Sequence, residues 1–162
     1  MIRLKHGALA LPMWGWGVEY EPIWDPDATG PVEVGVDAIE IERIHRAITR
    51  FGDRFLNRIY TPQERERYRG RIAELAARFA AKEAVMKALG TGVRGVRWRD
   101  IEILSNRRGK PIVVLHGTAR ARAAQLGLRH VAISLTHARA FAIAVVAVTR
   151  QTALSEGEQN NA

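Results

Sequence analysis

Residues 78–92 read RFAAKEAVMKALGTG, and this stretch predicts the central helix around which the other elements are placed. Alanine, leucine, methionine, lysine and glutamate all favour helices, and the two glycines stand where a helix should end. The pattern predicts a long central helix over residues 72–89. Its apolar stripe should pass through Leu75, Phe79, Met86 and Leu89. The stripe is interrupted by Lys82, which is followed by a second charge, Glu83.

These charges have two interpretations. Arg78 and Lys82 are four residues apart, so their like charges destabilise the helix, and burying Lys82 carries a desolvation cost. In the plain interpretation Lys82 extends its ammonium to water, and Glu83 forms a surface ion pair with Lys87 worth ~0.3–0.5 kcal/mol. In the functional one, the three cations around Glu83, among small alanines, hold an anionic ligand together with a divalent ion.

Composition bounds the class of protein. The chain has 162 residues, of which 47% are apolar and 26% charged, which is typical of a globular domain. It has no cysteine, which excludes disulfides, a thiol nucleophile and thiolate metal sites and suits a cytoplasmic location. A formal net charge of +8 favours anionic partners. No apolar run approaches the ~18–20 residues that span a bilayer.

The chain divides into three parts. Residues 1–31 hold three of the four tryptophans and four of the six prolines without a clear period, and we interpret them as a poorly ordered N-terminal extension. Residues 32–149 form one domain, and residues 150–162 are a polar C-terminal tail.

Within the domain, periodicity predicts a single α+β fold, with a mixed or antiparallel sheet packed against the long central helix. Alternation predicts a first strand at 32–37, with Val32, Val34 and Val36 on one face. A helix from about Glu40 follows, which Gly52 interrupts, and Pro62 should open another helix. After the central helix come strands 100–104 and 111–115 with Gly109 in their turn, a helix at 118–126, and a hairpin of strands 131–136 and 141–148.

Two further residues are site candidates. Asp37 ends the first strand just before a helix, where a helix cap is the favoured interpretation and a metal ligand the alternative. His137 lies at the final hairpin turn, where it is either structural or a donor to a phosphate. Ser134 and His137 do not indicate a hydrolase, because no nucleophile elbow surrounds the serine.

The first helix carries a basic face. Arg43, Arg46, Arg50 and Arg54 step by 3, 4 and 4 residues, opposite its isoleucines and phenylalanines. A solvated basic face is common, but its like charges cost stability, which an acidic partner surface would offset. Nucleic acid would offset it too, although the sequence contains no zinc-finger, RNP or helix-turn-helix signature.

Six segments together resemble the holo-acyl-carrier-protein synthases, the small 4′-phosphopantetheinyl transferases. In the family's order they are GVDAIEIERI (35–44), RIYTPQE (58–64), LAARFAAKEAVMKALGTG (75–92), WRDIEIL (98–104), GKP (109–111) and ISLTH (133–137). They cover about residues 32–148. The resemblance implies transfer of 4′-phosphopantetheine from coenzyme A to a serine of an acyl carrier protein, with release of adenosine 3′,5′-bisphosphate. It also explains the absence of a nucleophile, because the attacking serine belongs to the partner.

The resemblance implies roles for individual residues. Asp37 and Glu83 would bind Mg²⁺, Glu83 would also serve as the base, and Lys87 would contact the diphosphate or the leaving group. The implied coenzyme A contacts are Arg78, Lys82 and His137, with Gly109, Lys110 and Pro111 bordering the nucleotide. The basic face, Arg43, Arg46, Arg50 and Arg54 with Arg58, would dock the acidic helix of the carrier protein. Relatives of this size form trimers with each active site between two subunits.

Two alternatives stay open beside the transferase. A basic nucleic-acid-binding domain without catalysis would explain the charge but not Asp37, Glu83 or the GKP loop. An inactive relative kept as an assembly partner is the other, although every charged motif position that can be matched is filled. The sequence does not decide between carrier proteins of fatty acid and polyketide synthesis, or between Mg²⁺ and Mn²⁺.

Overall fold

The computed structural model describes residues 32–150, and the predicted extension and tail lie outside these residues apart from Arg150. In chain order the elements are β1 (Val32–Glu40), α1 (Ile41–Phe51), α2 (Asp53–Ile59), α3 (Pro62–Arg67), α4 (Ile72–Ala88), α5 (Gly92–Gly95), a 3₁₀ turn (Trp98–Asp100), β2 (Ile101–Ser105), β3 (Pro111–Leu115), α6 (Gly117–Gln125), β4 (Leu128–His137) and β5 (Phe141–Arg150). The predicted α+β class is confirmed.

The strands form two antiparallel sheets. The larger has the order β1-β5-β4, and the smaller pairs β2 with β3. In the larger sheet Asp37 of β1 and Leu135 of β4 both lie opposite Ala144 of β5. The small side chains of Ala142 and Ala144 are completely buried there, which lets α4 lie close against the sheet.

The central helix α4 is buried on most of its circumference. Its predicted span is confirmed to within one residue at its C-terminus. Six alanines of this helix are buried: Ala76, Ala77, Ala80, Ala81, Ala84 and Ala88. Their small size allows β1, β5 and α1 to pack around one helix, as expected of a helix that is apolar on nearly every side.

Near the first helix, the predicted end of β1 and the single arginine face are wrong, whereas the break at Gly52 is confirmed. β1 continues through Glu40, three residues beyond the prediction, because pairing with β5 extends to Glu40 opposite Phe141. Gly52, with φ of +50°, separates α1 from α2. Arg54 and Arg58 therefore belong to α2, and they do not continue the face of Arg43 along one helix. The α3 start is confirmed, with Thr61 and Glu64 forming a capping box around Pro62.

One face of the larger sheet is exposed and apolar. Its side chains are Val32, Val34 and Val36 of β1 with Phe141, Ile143 and Val145 of β5, and each is 39–63% exposed. The alternating valines thus lie away from α4, while Gly35, Asp37 and Ile39 face it. We call these six side chains the exposed sheet face. Within residues 32–150 no helix combines the length and apolar character needed to cross a membrane.

Candidate functional site

Asp37 lies on the face of β1 that packs against α4. The favoured interpretation of Asp37 as a helix cap is wrong, because the cap position of α1 is Glu40 and no side chain caps that helix. Gly35 explains how the two elements come so close. A Cβ atom at position 35 would lie 1.9 Å from the carbonyl oxygen of Ala84, so only glycine allows β1 to lie directly on α4.

This close contact brings Asp37, Glu83 and Lys87 together. Lys87 Nζ donates to Asp37 Oδ1 at 2.9 Å and to the backbone oxygen of Val36 at 2.7 Å. The plain interpretation, a surface ion pair between Glu83 and Lys87, is wrong, because among residues 32–150 Lys87 pairs with Asp37. Burial raises the pKa of Glu83, and the neighbouring Asp37 carboxylate raises it further, while Lys87 and Arg43 oppose this. Two neighbouring carboxylates of this kind favour a shared cation.

The carboxylate pair fits a magnesium ion better than a metal that needs many protein ligands. Within residues 32–150 no three histidine, cysteine, aspartate or glutamate side chains cluster as a metal site. Mg²⁺ needs no such cluster, since it keeps several waters and takes one or two carboxylates together with substrate phosphates. The hard oxygens of Asp37 and Glu83 match that preference.

A second group of predicted residues lines a cleft of about 360 Å³. Arg78, His137, Gly109 and Pro111 all contribute to it, and Tyr68, Arg71, Glu74 and Ser105 complete most of the wall. Gly109 has a φ of +81°, which turns the chain between β2 and β3 at the rim. Lys110, in the same turn, is also exposed.

Arg78 is fixed in the wall of this cleft. Its guanidinium pairs with Glu74 and donates to Tyr68 Oη at 3.0 Å and to Ser105 Oγ at 3.1 Å. Its buried Nε has no hydrogen-bond partner among the described residues. His137 Nε2 lies 3.9 Å from Glu74 Oε1, so one carboxylate lies between two of the predicted phosphate contacts.

Lys82 is not part of either group. Its side chain has no exposed surface, so the snorkelling interpretation is wrong. Its Nζ pairs with Glu64 at 2.8 Å and donates to the backbone oxygens of Trp98 and Ile101. Burial lowers the pKa of Lys82, and Glu64 opposes that shift. Because its donors are directed to these internal partners, we assign no coenzyme A contact to Lys82.

The two groups lie on different faces of α4. Arg78 and Glu83 are five residues apart, which on an α-helix separates them by about 140° in direction and about 7.5 Å along the axis. The expected residues therefore form two groups on different sides of α4: a carboxylate group (Asp37, Glu83 and Lys87) and a cleft group (Arg78, His137, Gly109 and Pro111).

The predicted docking arginines are all exposed: Arg43, Arg46, Arg50, Arg54 and Arg58. The guanidinium of Arg50 lies 5.1 Å from the ring centre of Phe51, which is 49% exposed. The sequence interpretation missed Glu74, Tyr68 and Ser105. Glu74 was detectable as an acidic residue four positions before Arg78. Tyr68 and Ser105 give no local signal, because only tertiary packing brings them to Arg78.

Comparison with known proteins gives consistent matches. A family model described as the 4′-phosphopantetheinyl transferase superfamily matches residues 33–146. A holo-[acyl-carrier-protein] synthase from Solibacter usitatus is 51% identical over 119 residues, covering 71% of this chain and 95% of that protein.

Solved structures agree with this match. The Helicobacter pylori holo-[acyl-carrier-protein] synthase in complex with coenzyme A is 31% identical with a TM-score of 0.66, over 72% of this chain and 99% of that one. The Bacillus anthracis holo-(acyl-carrier-protein) synthase in complex with CoA (3′,5′-ADP) is 35% identical with a TM-score of 0.61, over 74% of this chain and 96% of that one.

Proposed function

The chain belongs to the 4′-phosphopantetheinyl transferase superfamily, among the holo-[acyl-carrier-protein] synthases, and we propose that it converts an apo acyl carrier protein to the holo form in a magnesium-dependent reaction. A serine hydroxyl of the carrier attacks the phosphorus that bears pantetheine. The new P–O bond replaces the bond to the second phosphate, and adenosine 3′,5′-bisphosphate leaves. The observation that carries this proposal is the pair of carboxylates, Asp37 and Glu83, held beside Lys87 on α4.

Asp37 and Glu83 are the proposed ligands of the metal. When bound, Mg²⁺ neutralises charge on the diphosphate. Lys87 forms an ion pair with Asp37, and the Lys87 side chain is 51% exposed. Its ammonium is therefore accessible to a diphosphate oxygen. We assign Lys87 to stabilising the charge of the leaving phosphate and Glu83 to accepting the proton of the serine hydroxyl, with the raised pKa of Glu83 favouring proton uptake.

The cleft group is the proposed site for the nucleotide part of coenzyme A. Arg78 supplies a fixed positive charge, and His137 and Lys110 lie at or near the open side of the cleft. Coenzyme A complexes of the related synthases support this ligand. The charge of Arg78 suits a phosphate, because hydrogen bonds and ion pairs that involve ionised groups are stronger than neutral ones.

The five exposed arginines of α1 and α2 are the proposed docking surface for the carrier protein. We define this docking surface as Arg43, Arg46, Arg50, Arg54 and Arg58. Although Gly52 divides it between two helices, all five side chains are exposed. A basic surface raises the association rate with an acidic partner and makes that rate sensitive to salt.

We also propose that the active protein is a homotrimer in the cytoplasm, with each site completed by a neighbouring subunit. Two observations support assembly. The exposed sheet face is a contiguous apolar surface of the kind that marks protein interfaces. The carboxylate and cleft groups lie on different faces of α4, so a second copy is a direct way to bring one of each together.

The direct test is intact-mass spectrometry of an apo acyl carrier protein after incubation with this protein, coenzyme A and Mg²⁺. We expect a gain of one phosphopantetheine, which is lost with EDTA and with Glu83→Gln. Carrier proteins of fatty acid and of polyketide synthesis, assayed in parallel, show which is served. A folded, trimeric protein that modifies none of them would refute the proposal.

A further inference from the structure

A third cleft, of about 850 Å³, lies outside the carboxylate group, the cleft group and most of the docking surface. The end of α2, the short helix α5, the 3₁₀ turn and the start of α6 surround it. Four arginines line it: Arg58, Arg94, Arg97 and Arg99. We call this the arginine cleft. Arg58 also belongs to the docking surface, so the two surfaces are continuous.

The cleft has a net positive charge, because its lining holds four arginines and one carboxylate. All four arginines are exposed. None of them takes part in the ion pairs found among residues 32–150. The carboxylate in the lining is Asp100, which accepts from Thr118 N at 2.9 Å and Thr118 Oγ1 at 2.6 Å. Asp100 thus holds the start of α6 in place, and the arginines are left for an external anion.

The chemistry of the lining favours an acidic polypeptide over nucleic acid. Proteins that bind single strands combine positive charge with aromatic rings on which bases stack. The aromatic residue of this cleft, Trp98, is already stacked on Phe79 at 4.6 Å between ring centres. The cleft therefore offers four guanidinium groups, which pair with carboxylates in a bidentate manner, and one ring that already has a stacking partner.

We propose that the arginine cleft binds a second acidic segment of the carrier protein, next to the segment held by the docking surface. This inference rests on the proposed function. The place of α5 in the chain supports it, because Arg94 comes seven residues after Lys87, just beyond the end of α4. A carrier protein bound at both surfaces is held in one orientation. Contact with the docking surface alone would leave it free to rotate.

The test compares single variants in which one arginine, inside or outside the cleft, is replaced by glutamate. Arg97→Glu and Arg94→Glu are compared with Arg129→Glu, which makes the same change of charge at an exposed position of β4 outside the cleft. With a recombinant apo acyl carrier protein of fatty acid synthesis, we expect each cleft variant to raise KM for the carrier about fivefold, with KM for coenzyme A and kcat within about twofold of wild type. The difference from Arg129→Glu should shrink as salt is added. Circular dichroism melts confirm that all variants fold.

Equal KM values for the cleft variants and Arg129→Glu would overturn the inference. So would cleft variants that lose affinity for an RNA oligonucleotide while KM for the carrier stays unchanged. Isothermal titration of apo carrier into the protein without coenzyme A separates this inference from the proposed function, because binding is measured without turnover. Weaker binding by the cleft variants than by Arg129→Glu supports the inference even if wild-type protein transfers nothing. Unchanged binding contradicts it.

Discussion

Lys82 and Glu64 pair at 2.8 Å, and neither side chain has any exposed surface. Glu64 also accepts from the backbone nitrogens of Thr61 at 2.8 Å and Ile103 at 2.9 Å. The pair therefore connects α4 to the start of α3 and to β2. A buried ion pair adds little net stability compared with apolar residues, but removing one partner leaves an uncompensated charge. The lysine in the apolar stripe is thus a structural residue that joins three elements.

This arrangement predicts a non-additive mutant cycle. Lys82→Met should destabilise the protein by about 3–5 kcal/mol, because it leaves the Glu64 carboxylate buried without a cation. Lys82→Met/Glu64→Gln should recover part of that loss, since no charge remains and the amide oxygen still accepts one hydrogen bond. Urea unfolding of the wild type, both single variants and the double variant measures the cycle. Additive losses would show that the two residues are not coupled.

The raised pKa of Glu83 predicts that the metal-free protein becomes less stable as the pH rises. Burial and Asp37 raise the pKa of Glu83, so the folded protein binds this proton more tightly than the unfolded chain does. In EDTA, stability is therefore lost as the pH rises from the ordinary glutamate pKa through the raised folded value. Glu83→Gln removes the penalty, and its thermal midpoint should exceed that of the wild type at pH 7.5. The difference should vanish below about pH 4, where glutamate is protonated in both states.

Magnesium supplies the control for this measurement. A ligand that binds only the folded state raises its thermal midpoint. Adding Mg²⁺ at pH 7.5 should raise the midpoint of the wild type and leave Glu83→Gln nearly unchanged. Equal midpoints in EDTA across the whole pH range would contradict the repulsion between Glu83 and Asp37.

At the scale of elements, the contact between β1 and α4 depends on Gly35. Gly35→Ala places a methyl group 1.9 Å from the Ala84 carbonyl oxygen unless the strand moves. We expect a loss of about 1–3 kcal/mol from overpacking, together with loss of activity as Asp37 moves away from Glu83. Gly70→Ala is the control, because no atom lies within 4 Å of its added Cβ and only its φ of +71° opposes the change. If Gly35→Ala were as active as Gly70→Ala, the close packing would not position the carboxylates.

The position of Arg50 on α1 predicts that a change at this residue affects KM for the carrier protein and not KM for coenzyme A. Arg50 lies in the last turn of the helix beside exposed Phe51, on the far side of the helix from buried Ile44. Arg50→Glu should raise KM for the carrier protein by about tenfold and leave KM for coenzyme A nearly unchanged, since a reversed charge slows association with an acidic partner. Arg50→Lys keeps the charge and serves as the control. Equal changes in both KM values would argue against a docking role.

The elements that could be predicted are those with a strong local pattern. α4 and the turn at Gly109 follow from helix-forming residues and a positive-φ glycine, and both are confirmed. The end of β1 could not be read locally, because pairing with β5 carries the strand to Glu40. For the same reason Asp37 looked like a cap. The pairing of Lys82 with Glu64, and of Arg78 with Ser105, joins residues far apart in sequence, which no local period reveals.

At the scale of the whole molecule, two features favour assembly. In the exposed sheet face, six large apolar side chains are in contact with water, which is unfavourable. An interface would remove them from water. The carboxylate and cleft groups lie on different faces of α4, and a second copy is one way to bring a group of each kind together. A closed ring of three copies would bury the first feature and could join the carboxylate group of one subunit to the cleft group of the next.

Complementation between inactive subunits tests this assembly. Glu83→Gln removes the carboxylate group's base, and His137→Ala removes an exposed contact of the cleft group, so each variant alone should have little activity at low coenzyme A concentration. If each site takes one group from each of two neighbours, mixed trimers contain sites with both groups intact. When the two variants carry different tags, purification on both tags keeps only the mixed trimers, and in each of these one site in three, roughly one third of the sites, should be intact. Phosphopantetheine transfer by co-expressed, doubly purified protein measures that fraction. If the mixed trimers are no more active than the better of the two parent variants, each subunit builds its whole site from its own chain. Subunits that share sites would always form some intact ones.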